Sequence, residues 1–136
     1  MLIPESVPGI KWIVVLWAAV AVAWVILEGN LGWTVLFGIL TAFMAVGMIV
    51  KRTLAGRNLS LRMWLTVTAF IGLLFGLGSA ILTLLFMAVK TGLHAHGPEF
   101  TSFELNWVLQ RAPIWAAAGL IGGLGLGLLL KAVLKP

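Results

Sequence analysis

The 136-residue chain has no cysteine, no aspartate and few charges of either sign. Without thiols it has no disulfide framework, no thiolate metal site and none of the thiol chemistry of small four-helix membrane oxidoreductases. Without aspartate, and with only two histidines, its serines lack the partners that would activate a nucleophile. Nine Lys and Arg and four acidic residues make up 10 % of the chain, against about 25 % in soluble domains. That leaves too little polar surface for a domain in water. A hydrophobic fraction of 62 % equally excludes a disordered chain. The net charge of +5 is scattered among apolar runs instead of forming a phosphate-tracking stripe, so nucleic acid is not an expected partner. The chain is expected to be one all-α unit embedded in a lipid bilayer.

A bilayer core of about 30 Å takes roughly 20 helical residues at a rise of about 1.5 Å each. Four apolar runs meet that requirement, at about residues 8–27, 31–50, 63–89 and 114–130. The first reaches adequate length only if it begins near Val7, with Lys11 snorkelling to the headgroups. No basic segment precedes Lys11, so this span is expected to remain as a helix and not to be cleaved as a signal peptide. Glu28, Gly29 and Asn30 alone separate it from the second span, which predicts a tight antiparallel hairpin. Ser60 and Asn58 are suited to cap the third helix, and Pro113 to open the fourth. The fold class is therefore a four-helix transmembrane bundle.

Charge bias orients it. Lys51, Arg52, Arg57 and Arg62 lie between the second and third spans, and Lys131 and Lys135 follow the fourth, so both termini are expected in the cytoplasm of a bacterial-type inner membrane. The basic connection is explained by topology, with docking of an acidic partner as the alternative. Trp12 and Trp64 then fall at the inner interface, and Trp24, Trp33, Trp107 and Trp115 at the outer one, while Trp17 lies inside a span. The outer connection, 90–113, has room for structure of its own. Thr101 and Glu104 form a capping-box pattern, and Phe103, Trp107, Gln110 and Arg111 make an amphipathic set expected as a short helix on the membrane surface.

Small residues are abundant inside the spans, where they let helix backbones approach. Gly119, Gly123 and Gly127 repeat every fourth residue in the fourth span, widened by Gly122. In the third, Thr68, Gly72, Gly76, Ser79 and Thr83 share one face, which Lys90 continues at the outer end; Thr34, Gly38, Thr41 and Ala45 form a weaker stripe in the second. Gly72, Gly76, Ser79, Gly119, Gly123 and Gly127 are thus the expected packing residues, within the chain or between copies. The likeness of the segments 72–78 and 119–125 raises an inverted repeat, although Gly/Leu helices resemble one another by composition alone.

No ionisable residue falls in the middle of a span, which argues against proton-coupled transport, haem binding and voltage sensing. Glu28 sits in the hairpin turn, where a solvated carboxylate is the default. The one metal-like cluster is His94, His96 and Glu99 in the outer connection, since two imidazoles and a carboxylate suit Zn or Cu. A pH-sensitive loop and a plain polar loop are the alternatives there. The glycines at 119–127 follow no strand, so a dinucleotide fingerprint fails on context, and no cofactor is expected. An enzyme is not expected. The expected role is an accessory, assembly or stabilising component of a larger membrane complex, whose partners are lipid and other membrane subunits or further copies of the chain. The alternatives are a homo-oligomeric channel or transporter for a small neutral solute, and an outer-face metal or small-ligand binder.

Overall fold

The computed structural model describes residues 10–27, 29–93, 97 and 99–133. The molecule is all-α, with α1 at Ile10–Ile26, α2 at Leu31–Leu54, α3 at Leu61–Leu93 and α4 at Ser102–Val133. The last three are long and apolar enough to cross a membrane, whereas α1, with 17 residues, is shorter. It is apolar on every side, as a helix surrounded by hydrocarbon can be. At 33 residues α3 is about 50 Å long, and its ends extend beyond any 20-residue span.

Helices α2, α3 and α4 begin where the sequence supplies a cap. Asn30 accepts a hydrogen bond from the Trp33 amide at 3.2 Å and starts α2, and Ser60 Oγ accepts from the Met63 amide at 3.4 Å at the start of α3. Thr101 and Glu104 complete a reciprocal capping box: the Thr101 amide donates to the Glu104 carboxylate at 2.8 Å, and the Glu104 amide to Thr101 Oγ1 at 3.2 Å. Gly56, with φ of 72°, makes the left-handed turn between α2 and α3.

The capping box opens α4 itself, not a separate surface helix. The outer connection expected over 90–113, with a short surface helix of its own and the fourth span opening at Pro113, is replaced by one helix that runs from Ser102 through Pro113 without interruption. Proline here removes one backbone hydrogen bond. Against that loss stand the cap and the packing of Val108, fully buried with Met87 and Phe100 and flanked by Trp107 and Trp115. Helices α2 and α3 likewise continue past their apolar runs, taking Lys51, Arg52 and Lys90 into helix.

Substantial contact joins helices that follow one another in the chain: α3 with α4 most extensively, then α2 with α3, then α1 with α2. Neighbours run antiparallel, since Trp17 and Trp24 pair with Thr41 and Thr34, and Thr68 and Gly76 pair with Gly123 and Trp115. Helix α3 is therefore the central element, and α1 is peripheral. Most of its residues are exposed.

Candidate functional site

The small-residue stripe of α3 serves three neighbours in succession. Its first part meets α4. A Cβ at Gly72 would fall on the Gly119 carbonyl, one at Gly76 on the Trp115 carbonyl, and one at Gly123 on the Thr68 carbonyl, so backbone touches backbone along this seam. Gly127 lies against the Thr68 side chain, and Trp64 Nε1 donates to the Gly127 carbonyl at 2.8 Å. The middle part turns to α2: Ser79 and Thr83 pack on Gly38, where a Cβ would strike Thr83 Oγ1. Ser79 therefore packs against a different helix from the glycines with which it shares a face.

Lys90, the last member of the stripe, reaches α1. It is 1 % exposed. Its Nζ donates to the Trp24 carbonyl at 2.6 Å and to the Leu27 carbonyl, and it stands 4.8 Å from the centre of the Trp24 ring. These carbonyls belong to the C-terminal end of α1, where backbone acceptors lack helical partners and the helix dipole is negative. A buried ammonium costs several kcal/mol unless such acceptors surround it. Here one helix caps another. In the sequence Lys90 only continues the stripe at its outer end, because a charge there closes the apolar run; the unbroken period of the stripe is the signal of its burial.

Aromatic rings fill the α1 side. Trp24, Phe37 and Phe86 cluster with centroids 4.5–5.4 Å apart, Trp24 stacked on Phe37 and Phe86 tilted against both, and Trp17 stacks on Phe37 at 5.6 Å. Trp24 Nε1 donates to Thr34 Oγ1 at 3.2 Å and Trp17 Nε1 to Thr41 Oγ1 at 2.9 Å. Of the tryptophans expected near the membrane interfaces, Trp24 and Trp64 are buried against neighbouring helices, whereas Trp12 and Trp33 are exposed. A shape-matched pocket with a hydrogen-bond acceptor holds an indole more firmly than headgroups do.

The hydroxyls that would line a permeation path are all engaged locally. Thr34, Thr41, Ser79 and Thr83 donate to the carbonyl four residues earlier, and Thr68 to the one three residues earlier. Such back-bonding satisfies a hydroxyl within its own helix. Between α2 and α4, with α3 as floor, runs an apolar groove of about 670 Å³. Ile39 and Phe43 form one wall, Trp115 and Leu126 the other, with Trp64 and Ser79 at opposite ends of the floor.

Of the three residues with metal-like spacing, His94 and His96 lie outside the described residues, as does Glu28. Glu99 is half-buried against the α1–α2 turn, where a Cβ on Gly29 would meet its carboxylate. Among the described residues no group of three or more His, Asp or Glu side chains is placed to hold a metal ion. No protein-family model, no curated protein and no solved structure matches the chain.

Proposed function

We infer that the protein is a four-span membrane protein with both termini in the cytoplasm, acting as an accessory, assembly or stabilising component of a larger membrane complex. The observation that carries this reading is that the buried polar side chains of the spans are spent on the fold. The hydroxyls donate within their own helices and Lys90 to the end of α1, which supports a role carried by surface contact over one carried by a polar lumen. What remains to act with is surface. Helix α1 offers the most, being apolar on all sides and held along one face by Trp17 and Trp24. The capping of α1 by Lys90 supports a fourth span, because it brings the C-terminal ends of α1 and α3 to the same level.

Extraction of the tagged protein from its native membrane in mild detergent, followed by sizing and mass spectrometry, tests the reading. Stoichiometric co-purification of other membrane subunits is expected. A homogeneous self-oligomer free of partners would overturn it and favour the second reading, a homo-oligomeric path for a small neutral solute. That alternative draws on Gly122 and Gly125, whose positions face open space on α4 and suit close approach by another copy.

A further inference from the structure

The groove between α2 and α4 is long, almost wholly apolar and open along its side. From Trp64 to Ser79 its floor extends about 22 Å at the helical rise, well over half the thickness of a bilayer core. Its floor is smooth where Gly72 and Gly76 meet α4. Its walls are low at Gly47 and Gly122, where a Cβ would have nothing within 4 Å.

Beyond the Trp115 end of the groove the next turn of α4 carries a cation, Arg111. Arg111 precedes Trp115 by one helical turn, so the two lie on one face of α4, and Trp115 forms the end of the groove wall. The guanidinium carbon sits 3.9 Å from the centre of the Trp107 ring, one turn further back. Nη1 reaches the Trp107 carbonyl only at 3.5 Å, the long limit of a hydrogen bond. Among the described residues no carboxylate pairs with Arg111. The ring thus holds the guanidinium in place while most of its donors stay available. A planar fork of N–H donors at the end of an apolar channel matches a phosphate attached to a hydrocarbon chain.

We propose that the groove holds one acyl chain of a phospholipid whose phosphate diester is bound by Arg111. The chain lies along Phe43, Gly72 and Gly122, and the phosphate oxygens accept hydrogen bonds from the guanidinium beside Trp107. Tryptophans at headgroup depth favour this placement, since their rings sit where hydrocarbon meets polar headgroup. The lipid site is independent of the accessory role and stands whether or not other subunits bind.

Native mass spectrometry of the detergent-purified full chain titrated with dioleoyl phosphatidylglycerol tests it. Wild type should retain one lipid per chain. Arg111→Gln, which removes the charge, and Gly122→Leu, which fills the groove, should each weaken retention about tenfold or more while thermal unfolding stays at or above the wild-type midpoint. Dioleoylglycerol, which has the chains without the phosphate, should bind wild type about tenfold more weakly and be indifferent to Arg111→Gln. Wild-type retention by either variant overturns the proposal, as does equal binding of the two lipids. Displacement of phosphatidylglycerol by inorganic phosphate would mark a free-anion site and overturn it too, and capture of a partner helix in place of lipid would do the same.

Discussion

The seam between α3 and α4 and the seam between α1 and α2 solve the same problem in opposite ways. Lipid offers helices no hydrophobic incentive to associate, so contact depends on packing and polar bonds. At α3–α4 the solution is absence: Gly72, Gly76, Gly119 and Gly123 withhold side chains so that backbones meet. At α1–α2 it is bulk, with indole and phenyl rings stacked across the gap and two indole N–H groups bonded to threonines. The first tolerates no added atom. The second rests on a few large side chains and on one lysine from a third helix, and α1 remains the most exposed element.

Breaking the glycine seam should have the largest effect. Gly72→Leu or Gly123→Leu drives a side chain into a facing backbone and is expected to cost more than about 3 kcal/mol, separating α3 from α4. Loss of a cooperative thermal transition in detergent would register it, and normal folding of both variants would refute the close approach. Lys90→Met comes next. It leaves the Trp24 and Leu27 carbonyls without their ammonium, at about 1–3 kcal/mol, and should release α1 alone. Proteolysis confined to the first hairpin is the expected signature. Trp24→Phe keeps most of the ring stack but loses the bond to Thr34 and much of the attraction to Lys90, for about 1–2 kcal/mol in the same assay.

Two smaller changes sharpen the contrast. Glu104→Ala removes half of the box that starts α4 and should cost about 1 kcal/mol, read as faster amide exchange over the first turn at residues 102–105. Gly125→Ala, on the same helix as the seam but facing open space, should stabilise the fold by up to about 1 kcal/mol, seen as a slightly higher unfolding midpoint. Opposite signs at Gly123 and Gly125 would separate glycine as a packing device from glycine as mere composition.

The sequence disclosed the glycine seam because its information is periodic. Small residues three and four apart mark one face of a helix, although which helix that face meets, as where Gly38 meets Thr83, is not written in the spacing. Helix starts were legible for a similar reason, as the cap at Thr101 and Glu104 depends on spacing alone. Three features were not legible. Pro113 resembles a helix start in isolation, and only the burial of Val108 against Met87 shows why the helix continues through it. Lys90 ends an apolar run by composition, and its acceptors lie on a helix some sixty residues earlier, a separation no local pattern encodes. Trp24 and Trp115 carry nothing in their own surroundings to tell a buried anchor or a groove wall from an interfacial ring. The groove itself exists only where three helices meet, so no single stretch of chain announces it.

The capping of α1 by Lys90 also bears on how the chain is made. Synthesis runs from the N-terminus, so the acceptors at Trp24 and Leu27 are complete long before the ammonium they receive emerges. When α3 enters the bilayer its charge therefore has a waiting destination. A chain made without its first helix would retain all three long helices, yet would leave Lys90 with no α1 terminus to receive it. The shortest helix, which contributes least to the packed interior, is then the one whose prior arrival gives the central helix a place for its buried cation.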